Sequence, residues 1–146
     1  GKIKGLEKEP GNLMPIVMEV VMGTREKVVV FGDDYDTDDG TCIRDYIHVT
    51  DLAQAHVQAL EHIASQDEDL VLNLGTSNGI SVLEILEATK KLSGVDFKVE
   101  IGPRRAGDPA IVLADASLAK DVLGWVPKHS NVETLVKSML DTYRNQ

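Results

Sequence analysis

Apolar residues recur at helical spacing at Leu13, Ile16, Val17, Val20 and Val21. This predicts a helix capped by Asn12, with Pro15 in its first turn and Gly23 ending it. Lys27 to Phe31 then reads as a buried strand, Gly32 to Gly40 as an irregular turn, and Ile43 to Val49 as a short extended piece. A helix is predicted over Leu52–Ser65, with Thr50 as N-cap, Asp51 in its first turn, and Leu52, Ala55, Ala59, Leu60 and Ile63 on one face. Leu70 to Leu74 reads as a strand and Thr76–Gly79 as a turn. Ser81 and Glu84 have the spacing of a capping box ahead of a helix that buries Val82, Ile85, Leu86 and Leu92 and stops at Gly94. Phe97, Val99 and Ile101 alternate as in a half-buried strand. A short helix from about Ala116 to Leu123 ends at Gly124. Ser130 and Glu133 suggest a second capping box before an amphipathic helix through Val132, Leu135, Val136, Met139, Leu140 and Tyr143. Strands separated by helices imply α/β layering.

The 146 residues suffice for one domain with a real core. No apolar run approaches the roughly 18 residues of a membrane span. Residues 1–11 read as a flexible arm or an expression-derived extension, and their pattern is that of neither a signal nor a transit peptide. The formal charge of -9 argues against a nucleic-acid or anionic-membrane partner. An anionic ligand would have to be held by local arginines. The single cysteine, Cys42, excludes an internal disulfide and fits a reducing, cytoplasmic compartment. The four histidines and one cysteine give no zinc spacing, so no metal is expected.

Neither G-x-G-x-x-G nor G-x-x-x-x-G-K-[ST] occurs. Asn73 to Gly79 is either a small anion nest or an ordinary strand-to-helix turn. The five aspartates between Gly32 and Gly40 lack the order of a calcium loop and read as a solvated turn. Arg44, beside Asp45, either forms a structural ion pair or holds a phosphate with its planar fork. Arg104 and Arg105, in PRRAGDP, are either a second anion contact or a solvated basic loop, and Asp108 could accept from ribose hydroxyls. No serine or cysteine nucleophile stands in a recognisable catalytic setting with a histidine, and no tyrosine is followed four residues later by lysine.

The stretch DYDTDDGTCIRDYIHVTDLA, from Asp34 to Ala53, resembles the UDP-glucose 4-epimerases of the extended short-chain dehydrogenase/reductase family. Asn12-Leu-Met-Pro15, Asn73-Leu-Gly75, Ser81-Val-Leu-Glu84, Pro103 to Pro109 and Ala114-Asp-Ala-Ser117 occur in the same order as in the C-terminal part of that family. The resemblance covers residues 12–146 and departs at Gly11, where a polar residue is common. It implies the fold of the substrate-binding half of these proteins, without the N-terminal Rossmann half.

On that resemblance Asn12 and Leu13 contact the nucleotide, and Val29, Val30 and Phe31 form the strand beside the uracil. Arg44 and Arg105 hold the diphosphate, Asp108 bonds the ribose, and Val112 lines the hexose pocket, with no catalytic residue in the chain. The family interconverts UDP-galactose and UDP-glucose through a 4-keto intermediate with bound NAD. The fingerprint for NAD and the Tyr-x-x-x-Lys pair belong to the other half. The resemblance therefore implies three kinds of partner: a UDP-hexose, the dinucleotide-binding half, and, through apolar faces left uncovered, further copies of the chain. It implies inactivity for the chain by itself. The alternatives are a non-enzymatic nucleotide-sugar module and a self-associating fragment.

Overall fold

The computed structural model describes residues 9–66 and 69–145. The expected arm therefore lies outside the described residues except for its last three, which are irregular. The elements are α1 (Leu13–Val21), β1 (Lys27–Phe31), β2 (Ile43–Arg44), α2 (Val49–Gln66), β3 (Ile80–Ser81), α3 (Val82–Ser93), β4 (Lys98–Gly102), β5 (Ile111–Val112), α4 (Ser117–Leu123) and α5 (Val132–Arg144).

β1 and β4 pair in parallel, in register from Lys27–Lys98 to Phe31–Gly102. A second small sheet has the order β3-β2-β5, with β2 antiparallel to β3 and parallel to β5. The main core lies between the first sheet and three helices: Val17 and Met18 of α1, Val28 and Val30 of β1, Leu86 of α3, and Val136 and Leu140 of α5. The 3.6-residue period brings these positions to one face of each helix, so the periodicity of α1, α3 and α5 was a faithful guide. The Ser81–Glu84 capping box is present in both directions, and Gly94 ends α3 in the left-handed conformation.

Other expectations need correction. Asn12 occupies the N-cap position of α1 but makes no side-chain cap bond. The paired part of the extended piece after Cys42 reaches only Arg44, and α2 already begins at Val49. Thr50 is thus inside α2 and not its cap; His48 takes that role, its Nδ1 accepting from the Thr50 N–H at 3.1 Å. Ser130 caps nothing, since its hydroxyl is taken by Asp51, and Asn131 caps α5 by accepting from the Thr134 N–H at 2.9 Å. Leu70–Leu74 forms no ladder, and Val71 is 92% exposed. A strand needs a neighbour for its N–H and C=O groups, and none of the described elements offers one there.

A second cluster packs Ala55 of α2 against Ala116, Ala119 and Trp125. The small side chains let α2 and α4 approach closely. The outer side of this region is apolar: Leu52, Val57, Leu60 and Ile63 of α2 are exposed, and so are Leu118 and Val126. Of the apolar stripe expected on α2, only Ala55 is buried. Grouped exposed apolar side chains are a common seat of association.

Asp51 joins the two regions. It is fully buried and accepts from the backbone N–H of Lys128 (3.0 Å) and of His129 (2.8 Å) and from the Ser130 hydroxyl (2.6 Å). The Trp125 indole N–H donates to its carbonyl oxygen at 2.9 Å. Burial alone would raise the carboxyl pKa; the hydrogen bonds from Ser130, Lys128 and His129 outweigh it and hold it below the ordinary value.

Two outcomes follow. Asp51→Ala leaves the buried Ser130 hydroxyl and the part-buried N–H groups of Lys128 and His129 without their acceptor and is expected to cost about 3 kcal/mol in urea unfolding at neutral pH. The Asp51 contribution is present above the ordinary aspartate pKa of about 3.9 and disappears as pH falls through the lower folded value, so the gap between wild type and variant should close in acid. In light scattering, the chain alone should gain apparent mass with concentration or melt at low temperature. A compact monomer with a high melting temperature would contradict the exposed apolar face.

A candidate nucleotide groove

Parallel pairing makes β1 and β4 end side by side, so the acidic turn after Phe31 and the basic loop after Gly102 leave at the same edge. α1 runs along the other side of β1. Between them lies a groove of about 470 Å³ lined by Asn12, Leu13 and Met14 of the α1 entrance, Val28 to Gly32, Cys42, Arg44, Tyr46, Arg105 and Asp108. Val28 to Phe31 of β1 line the groove and no residue of β4 does, so the groove opens on the edge of β1 that has no strand partner among the described residues.

The candidate residues therefore meet at one place, with one exception. Val112 pairs with Arg44 in the β2–β5 ladder but is 46% exposed and stands outside the groove. Cys42, Tyr46 and Met14 are lining residues that sequence reasoning missed; Cys42 and Tyr46 lie where the chain has no periodic signal, and Met14 stands off the apolar stripe of α1 that the spacing picked out.

The polar end of the groove carries two guanidinium groups. Arg44 Nη2 donates to Asp108 Oδ1 at 2.5 Å, and its Nη1 donates to the carbonyl oxygens of Ile43 (2.7 Å) and Ala110 (3.3 Å). Its ion pair is thus with Asp108 and not with the adjacent Asp45. Arg105 stacks over the Phe31 ring, 3.9 Å from the guanidinium carbon to the ring centre. Among the described residues it has no carboxylate partner. A guanidinium fixed by stacking with its donors unpaired is ready to bind an anion.

Asp45 serves the scaffold. One of its oxygens accepts from the N–H and hydroxyl of Thr76, each at 2.8 Å, and the other from the Ala114 N–H at 3.1 Å. The Asn73–Gly79 turn therefore already has an internal anion. Asp39 acts similarly in the acidic turn. It accepts from the Thr41 N–H (2.8 Å), the Thr41 hydroxyl (2.7 Å) and the Ser81 hydroxyl, tying the turn to the start of α3. Burial pushes the Asp39 carboxyl pKa up, and the bonds from Ser81 and Thr41 more than reverse it. The turn is solvated at Asp33, Asp36 and Asp38 but built into the fold at Asp39.

A sequence profile described as GDP-mannose 4,6 dehydratase matches residues 2–139. This chain belongs to that family. Within it, the chain matches UDP-glucose 4-epimerases and corresponds to their C-terminal part, in the extended short-chain dehydrogenase/reductase fold. It is 46% identical over 137 residues to the UDP-glucose 4-epimerase of Halalkalibacterium halodurans, covering 94% of this chain and 41% of that protein. The structure of the Stenotrophomonas maltophila UDP-glucose 4-epimerase with bound NAD and formylated UDP-arabinopyranose superposes with a TM-score of 0.92 at 45% identity, over 96% of this chain and 42% of the other. The Bifidobacterium longum enzyme in complex with NAD+ and UDP gives 0.85 at 42% identity, over 96% and 41%. The chain thus spans about two fifths of the length of these epimerases.

Gly40 tests how closely the acidic turn is packed. Its φ is +78°, and an added Cβ would lie 2.0 Å from the Asp33 carbonyl oxygen. Gly94 has φ +75° with nothing within 4 Å. Gly94→Ala should cost about 1 kcal/mol and Gly40→Ala at least ~2 kcal/mol more, read as the difference in urea midpoints at constant slope.

Proposed function

We propose that this chain is the UDP-hexose-binding portion of a UDP-glucose 4-epimerase and that it is catalytically inactive by itself. The observation that carries the reading is the groove itself: an unpaired strand edge, a stacked arginine and an arginine–aspartate pair line one cavity of about 470 Å³. In this reading the uracil lies along Val29, Val30 and Phe31, where the open edge offers N–H and C=O groups to a planar base. Asn12 and Leu13 close the other side. Arg105 and Arg44 take the diphosphate, and Asp108 takes the ribose. Arg44 is neutralised by Asp108 in the structure, so a phosphate must displace that carboxylate, which then becomes free for the ribose hydroxyls. Val112, beside Arg44 but outside the groove, is left to face the hexose.

In this reading NAD is not held at the start of α3. A dinucleotide pyrophosphate sits on the free N–H groups of a helix that follows a strand and a glycine turn. Here β3 runs straight into α3, and the first N–H groups of α3 are already bound: Val82 to the Cys42 carbonyl oxygen (3.1 Å), Leu83 to Thr41 Oγ1 (3.3 Å) and Glu84 to Ser81 Oγ (3.0 Å). NAD is therefore assigned to the dinucleotide-binding half, which is also the proposed cover for the apolar side of α2 and the Leu70–Leu74 segment. The reading places the whole protein in galactose metabolism in the cytoplasm. Among the described residues no helix is long and apolar enough to cross a membrane.

Calorimetric titration with UDP is expected to show binding. Arg44→Ala and Arg105→Ala in a full-length context should each weaken it by at least ~1.5 kcal/mol. Unchanged affinity in both variants would reject the diphosphate assignment. Supplying the dinucleotide-binding half should restore conversion of UDP-galactose to UDP-glucose; UDP binding without restored conversion would favour a non-enzymatic nucleotide-sugar module.

A further inference from the structure

Arg104 and Arg105 are neighbours in an extended loop, so their side chains leave on opposite sides. Arg105 turns to Phe31 in the groove. Arg104 turns away from it, towards the acidic turn. Its Nε donates to Asp34 Oδ1 at 2.6 Å, its Nη2 donates to the Asp34 carbonyl oxygen, and its guanidinium lies 4.2 Å from the centre of the Tyr35 ring. Tyr35 is buried, and its N–H is bonded to the Gly40 carbonyl oxygen at 2.9 Å. Gly32 has φ +90°, and a Cβ there would stand 2.7 Å from both Arg104 Cγ and Tyr35 Cε2. The turn and the arginine are therefore in close contact over several atoms. The Asp34 carboxyl is held below its ordinary range and Arg104 above its own, each chiefly by the hydrogen bond between them.

We propose that Arg104 is a positioning residue. It does not touch the nucleotide; by fastening loop 103–108 to the acidic turn it sets where Arg105 and Asp108 stand. The proposal rests on the reading that the groove takes a nucleoside diphosphate. It makes the aspartate-rich turn part of the site, although an acidic segment beside an anion would by charge alone oppose binding. The loop is gripped at three points: Arg104 on Asp34 and Tyr35, Arg105 on Phe31, and Asp108 on Arg44. Removing the first leaves Arg105 to swing about Phe31, because its neighbour no longer ties the loop to the acidic turn, and Asp108 moves with it through its N–H bond to the Arg105 carbonyl oxygen. The Arg104–Asp34 pair is largely exposed, so its loss should change global stability little, which separates positioning from folding.

The sign of the Asp34→Asn effect decides. Electrostatics alone requires that deleting a negative charge near the groove tightens UDP binding. Positioning requires the reverse: Asp34→Asn and Arg104→Ala each weaken UDP binding by roughly tenfold, and the double variant is no worse than either single one. Deuterium exchange without ligand gives an independent reading. The Asp108 N–H, bonded to the Arg105 carbonyl oxygen at 3.2 Å, should exchange faster in both variants. Tighter or unchanged UDP affinity in Asp34→Asn overturns the proposal. So does a lower fraction of binding-competent molecules with unchanged affinity, which would mean a structural role only. If the wild-type chain binds no UDP, the nucleotide reading fails instead, and the exchange result still judges the latch: unchanged protection at Arg105–Asp108 overturns it.

Discussion

The parallel pairing of β1 with β4 is the constraint on which the rest depends. Its register sets Phe31 opposite Gly102, so the two segments that follow emerge together although about seventy residues of chain separate them. Without that alignment Arg105 would not reach Phe31, Arg104 would not reach Asp34, and Asp108 would not reach Arg44. The core beneath secures the register. Val28 and Val30 are buried against α1, α3 and α5, and a slip of one residue would turn them to the other face. The free edge of β1 exists for the same reason: β4 occupies one side only.

Charge is handled locally in this acidic chain. Asp39, Asp45 and Asp51 each accept from backbone N–H groups at a junction between segments, doing for irregular loops what a ladder does for strands. Asp34 and Asp108 are matched to Arg104 and Arg44. Once these are paired, Arg105 is left as the cation of the groove without a carboxylate. A net charge of -9 thus coexists with a site suited to an anion, because the excess carboxylates at Asp33, Asp36 and Asp38 face solvent.

What the sequence revealed depended on whether the forces acting on a segment came from near or far along the chain. The faces of α1, α3 and α5 were legible because each helix buries its own periodic stripe. Leu70–Leu74 and the outer side of α2 have the same kind of pattern, yet Leu72 and Leu74 only lean on the Ala55–Trp125 cluster without a strand partner, and the described residues hold nothing to cover the outer side of α2. The S-x-x-E spacing at Ser130 misled because Asp51, distant in sequence, claims that hydroxyl and moves the cap to Asn131. The candidate site was legible through family resemblance, which named Asn12, Leu13, Val29 to Phe31, Arg44, Arg105 and Asp108 as neighbours. It did not show that Arg44 is paired with Asp108, or that Arg104 faces away from the groove.

The central claim is that this groove seats a nucleoside diphosphate. The most direct measurement is a titration of the isotope-labelled chain with UDP, followed residue by residue through backbone amide resonances. Shifts are expected to concentrate at Leu13, Val29 to Phe31, Arg44 and Arg105 to Asp108, with the region around Trp125 and α4 unaffected. Saturating UDP that leaves the β1 edge and loop 103–108 unchanged, or that moves only resonances elsewhere, would contradict it.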